Sequence, residues 1–307
     1  MTSFLERFDF DPAHAGHFGL EEEIWTVRPG TTELTAAAPA VFARYPEGRL
    51  KPELPIHQIE ATTGICSDLF SLRTDIIENR ATLAQWGNEF GFALNFDPMP
   101  PSVHPIEVYP KPRYLDIKRS VPADRLAGAW VTGVHVHLGA QSFEDAFTML
   151  NRLREFLPFF VSVSGRSPRD ADGHSGYRSA RTVRYAQMAG AIIPPTIRNR
   201  EHFLELAASG GFTEDPRRCW WGVRVNPVGS VEVRVFDSTP SIDRIVAYAA
   251  LVKIAALATD IARVRNETEI HEAVLVAARK PKDYIAELEQ LLACGRERGF
   301  MHEVRVA

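Results

Sequence analysis

The sequence predicts an α+β fold built on a largely antiparallel sheet. Three observations point there. Four short extended segments each carry two polar groups two residues apart. Long stretches with apolar residues at helical spacing separate them. The last two extended runs are joined by a turn signal, Asn226-Pro227-Val228-Gly229. The polar pairs are Glu21/Glu23 in HFGLEEEIW, Gln58/Glu60 in HQIEATTG, His135/His137 in TGVHVHLG and Glu232/Arg234 in GSVEVRVFD.

The elements follow in chain order. Residues 17–27 read as a strand, and residues 56–66 as a second one entered through a Pro-rich turn. Residues 69–90 carry Leu72, Ile76, Leu83 and Trp86 at helical spacing, with Ser67-Asp68 as the cap and Gly91 as the stop. Residues 93–97 suit a short strand. Residues 98–112 (PMPPSVHPIEVYPKP) read as a long irregular loop, a lid or an edge. Residues 130–139 alternate Val and His as a strand does. Residues 143–164 read as one helix, 221–225 and 230–237 as a hairpin, 242–262 as a long apolar helix and 283–298 as an amphipathic one. No repeat or linker divides the chain, so residues 1–307 are expected to form a single domain.

The 307 residues are 45% hydrophobic and 24% charged, ordinary values for a globular chain, and the net charge of −4 implies no nucleic-acid or membrane partner. Cys66, Cys219 and Cys294 are odd in number and lack CxxC spacing, so reduced thiols in a cytoplasm are expected. The N-terminal MTSFLERFDFDPAH has no signal-peptide core, and no run reaches the ~18 apolar residues of a membrane span.

Side chains alternate across a strand, so each polar pair shares one face while Val134, Val136, Val231 and Val233 point the other way. Four such strands in one sheet make a floor of carboxylates, imidazoles and a guanidinium. Gathered carboxylates repel one another and need a cation to offset them. Glu22 falls on the opposite face and is the least suitable ligand of its run. Gln58 is suited to hydrogen-bond a substrate, and Glu53 and Glu60 flank the same strand. Two histidines among carboxylates, without a third zinc-spaced ligand, favour a hard ion such as Mg2+ or Mn2+. Glu232 suits such a metal, and Arg234 suits a phosphoryl oxygen through its planar fork; a plain cross-strand salt bridge is the alternative. Arg224, in the preceding strand, is a further candidate for substrate.

The segment GRSPRDADGHSGYRSARTVRY holds five arginines and reads as a loop closing over an anionic substrate, with Arg178, Arg181 or Arg184 as its contacts. No Walker A, GxGxxG or nucleophile-elbow motif occurs, so any nucleotide must be held mainly by metals and arginines.

GLEEEIW, HQIEATTG, TGVHVHLG, SGYRS and WGVRVNPVGSVEVRVFD, in that order, resemble the type 2 glutamate–cysteine ligase family, whose members are also called YbdK-type carboxylate–amine ligases. The resemblance runs from about residue 16 to about residue 260. It implies a curved antiparallel sheet with helices on its outer face, like the catalytic domain of glutamine synthetase. It also implies ATP-dependent joining of a carboxylate to an amine with Mg2+ or Mn2+. Carried over by motif, Glu21, Glu23, Glu60, His135 and Glu232 would be metal ligands, with Glu53 a weaker one, and Arg234 would contact the transferred phosphoryl group. Apart from the resemblance, Gln58, His137, Arg178, Arg181 and Arg224 are candidate substrate contacts on the residue reading alone. The chain departs from the family's pattern at Gly222, where an aspartate is common, and at Arg166 within SGRSP.

The expected reaction joins a carboxylate, foremost the γ-carboxylate of glutamate, to cysteine or another amine through an acyl phosphate. No base stands out beyond His137. A metal-dependent phosphotransferase or hydrolase on the same floor, and a non-catalytic nucleotide- or amino-acid-binding relative, are the alternatives. A homodimer through an exposed sheet edge is compatible with this architecture.

Overall fold

The computed structural model describes residues 2–102, 105–170, 173–190, 192–257, 264–280, 289, 291 and 293. Its centre is β1 (Phe18–Val27), a ten-residue strand whose apolar–polar alternation gives it two usable faces. Among the described residues, seven strands form one sheet, six of them in the order β2 (Leu50–Pro52), β3 (Gln58–Thr62), β1, β5 (Gly133–Gly139), β9 (Ser230–Asp237) and β8 (Val223–Asn226). β4 (Ala93–Asn95) pairs with the far end of β1, beyond the reach of β5. All these pairings are antiparallel. A separate small hairpin joins β6 (Arg169–Asp170) to β7 (Gly173–His174).

One face of the sheet is apolar. Leu20, Val134, Val136, Leu138, Val231 and Val233 are all buried there, in a core shared with the helices Leu69–Phe90, Phe143–Leu153, Leu157–Ser164 and Ile242–Leu257. Each fully buried Leu or Val of this kind contributes about 1.5–3 kcal/mol. Glu22 projects into the same layer, as its position in the alternation requires, and meets Arg80 of the Leu69–Phe90 helix at 2.6 Å. That helix starts where the sequence indicates: Asp68 Oδ1 accepts from Ser71 N at 2.7 Å, and Gly91 ends it at φ 74°, a backbone region glycine enters without a Cβ clash.

The antiparallel α+β expectation is borne out, and several boundaries shift. The expected strand 56–66 shortens to Gln58–Thr62. The single helix expected over 143–164 is two, separated by a 3-10 turn at Arg154–Phe156, and Pro158 sits in the first turn of the second, where its missing N–H costs no bond. Part of the segment read as a loop is the helix Ala180–Ala189. The Pro-rich stretch is pinned as an edge, with Tyr109 N donating to Leu54 O at 3.0 Å and Ile56 N to Glu107 O at 3.0 Å. The described part of the last long apolar helix ends at Leu257, and Cys294 and most of the expected 283–298 helix lie outside the described residues. Among the described residues no helix is long and apolar enough to cross a membrane.

β9 carries one irregularity that matters for the site. Val134 pairs with Phe236 but Val136 pairs with Val233, so Arg234 and Val235 together oppose His135. Such a bulge re-aims side chains and resets the alternation. It lets Val235 and Phe236 both turn to the core and brings Asp237 opposite Gly133.

Candidate active site

The cross-strand register assembles the floor. Glu23 stands opposite Glu60, Trp25 opposite Gln58, Glu21 opposite His135, His137 opposite Glu232, and Glu232 opposite Arg224. Residues directly opposite in an antiparallel pair share a face, so all four polar pairs lie on the side away from the four core helices. Lys51, opposite Glu60 on β2, joins them through a 2.8 Å ion pair.

The contacts are dense. His135 Nδ1 lies 3.0 Å from Glu21 Oε2 and 3.7 Å from Glu232 Oε1, and its Nε2 lies 3.7 Å from Glu23 Oε1. His137 Nε2 lies 3.4 Å from Glu21 Oε1, while its Nδ1 is 2.9 Å from Ser230 Oγ. Glu232 accepts from Arg224 Nε at 2.7 Å and from Asn226 Nδ2 at 2.6 Å on one oxygen, and from Arg234 Nη1 on the other. Gly133 N donates to Glu23 Oε2 at 2.8 Å.

The electrostatics divide the carboxylates into two sets. Burial raises Glu23 to about 7, with the neighbouring Glu53 charge adding to it against Arg181 and Arg234. Burial also raises Glu60 well above the carboxylate range, helped by Glu21 and Glu53 and opposed by Lys51. Glu232 goes the other way: burial would raise it, but Arg224 and Arg234 together hold it well below its usual value. Glu21 is likewise lowered, against its burial, by His137 and His135. Burial and Arg234 lower His135 to about 4, so its imidazole is neutral at neutral pH. Protein cations thus satisfy Glu232, while burial and neighbouring like charge disfavour the ionised forms of Glu23 and Glu60, a cost that a metal ion would offset.

The donor set fits a divalent ion. Glu21, His137 and Glu232 each offer a ligand atom, and the three atoms lie within 4.8 Å of one another. Carboxylate oxygens with a single imidazole match Mg2+ or Mn2+ better than a thiolate-seeking metal. The ligand set expected from sequence includes His135; the group of three converging donor atoms among the described residues includes His137.

Two cavities open on this floor. One, of about 320 Å³, is lined by Glu21, Glu23, Glu53, Glu60 and His135 and walled by Lys51, Lys111, Arg113, Arg181, Arg217, Arg224 and Arg234. The other, of about 810 Å³, takes in His137, Phe10, Ile65 and Ser230 and shares Glu21, Lys51, Pro227 and Val228 with the first. The first is suited to a polyanion, because its cationic wall stands over a metal-competent floor.

Most of the expected residues come together here, and two of the expected arginines do not. Arg178 is absent from the lining of both cavities, and its Nε donates to Gly165 O at 2.8 Å; Arg184 Nε likewise donates to Ala127 O at 3.1 Å. Of the three arginines assigned to a closing loop, Arg181 alone lines the first cavity, from a helix. Gln58 lines it too, but its Nε2 donates to Val131 O at 2.9 Å. Sequence reasoning missed Lys51, Lys111, Arg113, Tyr185, Arg217 and Asn226, all of which line the first cavity. Asn226, in the hairpin-turn signal, was recognisable only as a turn residue. Gly222 has a packing reason: a Cβ there would lie 2.8 Å from Val235 Cγ1.

The sequence model of glutamate–cysteine ligase family 2 matches residues 17–291. A presumptive glutamate–cysteine ligase 2-1 of Saccharopolyspora erythraea is 33% identical over 241 residues, covering 76% of this chain and 64% of the relative. A presumptive glutamate–cysteine ligase 2 of Sorangium cellulosum is 29% identical over 249 residues, covering 76% and 65%. The chain therefore spans just under two thirds of the length of these relatives. Among solved structures, a bifunctional glutathione synthetase from Pasteurella multocida superposes with TM-score 0.67 at 16% identity, over 95% of this chain and 47% of that one. A glutamate–cysteine ligase from Francisella tularensis, solved with AMP, gives TM-score 0.57 at 14% identity, over 97% and 82%. These two likenesses show a shared fold.

Proposed function

The chain belongs to glutamate–cysteine ligase family 2, and from that premise we propose that it is an ATP-dependent ligase joining a carboxylate, the γ-carboxylate of glutamate first among candidates, to an amine. One observation carries the reading. Glu232 lies at once among the metal-competent donors and between Arg224 and Arg234, two arginines that line the cation-walled cavity. That is an arrangement for phosphoryl transfer, where catalysis consists of positioning and charge stabilisation.

A carboxylate is a poor electrophile, so it must first be activated. Its oxygen attacks the γ-phosphorus of ATP, forming an acyl phosphate and releasing ADP. The amine nitrogen then attacks the acyl carbon, phosphate leaves with the bonding electron pair, and the nitrogen loses a proton to give the amide. Arg234 would meet the charge on the moving phosphoryl group, while Arg224 keeps Glu232 oriented. Lys51, Lys111, Arg113 and Arg217 would hold the remaining phosphate and carboxylate oxygens. Glu21, His137 and Glu232, with Glu23, Glu60 and His135 beside them, would hold Mg2+ or Mn2+. Its contribution is to neutralise charge on the phosphate oxygens.

The test is ADP release with L-glutamate and Mg2+, with and without a panel of amines that includes cysteine, and with mass detection of the product. Release that depends on the amine supports the ligase. Release that proceeds equally without any amine points instead to a hydrolase on the same floor.

A further inference from the structure

Asp237 is fully buried at the end of β9, and the chemistry above makes no use of it. Because of the bulge it stands opposite Gly133, on the same face as the floor. One of its oxygens accepts from Arg166 N at 2.9 Å and Ser167 Oγ at 2.7 Å; the other accepts from Ser179 Oγ at 2.7 Å. Ser167 Oγ in turn accepts from Arg181 N at 3.2 Å, and Ser179 Oγ accepts from Thr182 N at 3.3 Å, capping the Ala180–Ala189 helix. A single carboxylate thereby ties down both ends of the 167–179 segment and the first turn of that helix.

Arg181 leaves this turn and is 1% exposed. Its guanidinium lies flat against Gly133: a Cβ at that position would be 2.0 Å from Nη2. Nη2 donates to Arg234 O at 3.1 Å. The buried Nε has no hydrogen-bond partner among the described residues, although the side chain lines the cation-walled cavity. Buried N–H donors are seldom left unpaired, and a guanidinium donor pairs best with an oxyanion.

We propose that Arg181 recognises a carboxylate or phosphate oxygen of the bound reactant through its Nε, and that Asp237 is the positioning residue that sets Arg181 through Ser167 and Ser179. The proposal uses the ligase reading only to choose between the two sources of the oxyanion.

Titration calorimetry on the full chain tests it with three probes: L-glutamate, ADP with Mg2+, and orthophosphate. Arg181→Lys keeps the cation and removes Nε. It is expected to weaken either glutamate or ADP at least tenfold and leave the other within twofold. A loss confined to glutamate identifies a carboxylate site; a loss confined to ADP, accompanied by orthophosphate, identifies a phosphate site. Asp237→Asn is expected to weaken the same probe, and Ser179→Ala replaces it if its thermal melt shows no folded state. Unchanged binding in Arg181→Lys overturns the proposal, as do equal losses for glutamate and ADP, a positioning variant that weakens a different probe, or a wild type that binds none of the three. If wild type binds a probe in an Arg181-dependent way yet shows no amine-dependent ADP release, the clamp stands and the ligase reading falls.

Discussion

Arg224 and Glu232 face each other across the β8–β9 hairpin, and Arg224 Nε donates to Glu232 Oε2 at 2.7 Å. Asn226 holds the same oxygen and Arg234 the other. Glu232 therefore keeps two partners when Arg234 is removed, and no bare charge is left in the core. Arg234→Ala is expected to stay folded while amine-dependent ADP release drops by roughly 10²–10³, the usual loss for one donor to a developing anion. Rates near wild type in a variant with a normal melt would remove Arg234 from the phosphoryl-transfer step.

The acids on the floor repel one another before any metal binds. Glu60 is buried beside Glu21 and Glu53, and Lys51 is its single close cation among the described residues. Glu60→Gln keeps the shape and removes the charge. Without metal it is expected to be more stable than wild type by about 1 kcal/mol, as is common when a functional strain is relieved. Mn2+ or Mg2+ should then raise its melting temperature less than the wild type's. For scale, a ligand at 100 times its Kd stabilises by about 2.7 kcal/mol. An identical metal-induced shift in both proteins would take Glu60 out of the metal's surroundings.

Asp215 supports the cation wall from below. It accepts from Arg217 Nε at 2.8 Å and Arg113 Nε at 3.2 Å, and both arginines line the first cavity. Partial burial works to raise its pKa, but the Arg217 hydrogen bonds and the Arg113 charge hold it at about 2, below its ordinary 3.8. Between those values the unfolded chain binds more protons than the folded one, so stability rises with pH across the window. The contribution is complete above 3.8 and is lost as pH falls through 2. Denaturant melts of wild type and Asp215→Asn should differ most above about pH 4 and converge toward pH 2. A constant gap would assign the loss to packing rather than to charge.

The floor was legible because strand alternation is a period of two, and a two-residue spacing such as Glu21/Glu23 or His135/His137 needs no tertiary information to define a face. The helix Leu69–Phe90 was legible because Asp68 and Gly91 mark its ends chemically. Arg178 and Arg181 could not be told apart, since arginine serves a backbone carbonyl as readily as an anion, and only the distances to Gly165 O and across Gly133 separate them. The bulge at Arg234–Val235 left a faint trace, two adjacent apolar residues ending an alternating run, and that trace does not say which strand carries the extra residue. The helix Arg200–Ser209 had readable signals, the Asn199 cap and Gly210, but lacked a strong apolar stripe to draw attention to them.

The glutamate run at 21–23 gives the sharpest contrast between the two faces. Glu22 is 1% exposed on the helix side, with Arg80 Nη2 at 2.6 Å and Nε at 3.3 Å, and Arg80 also donates to Thr239 O at 2.9 Å and Pro240 O at 2.6 Å. Burial raises the Glu22 pKa even though Arg80 opposes it. Arg80→Ala strands a buried carboxylate and two carbonyls, and a broken buried pair of this kind costs about 3–5 kcal/mol. Arg80→Ala is thus expected to lower denaturant stability by that amount. Glu22→Gln in the same background should recover part of the loss, because a neutral amide removes the orphaned charge. Where the Arg80→Ala chain remains folded, its ADP release per folded molecule should match wild type, since Arg80 lines neither cavity. A double variant no more stable than Arg80→Ala alone would show that the carbonyl contacts, not the ion pair, carry the stabilisation.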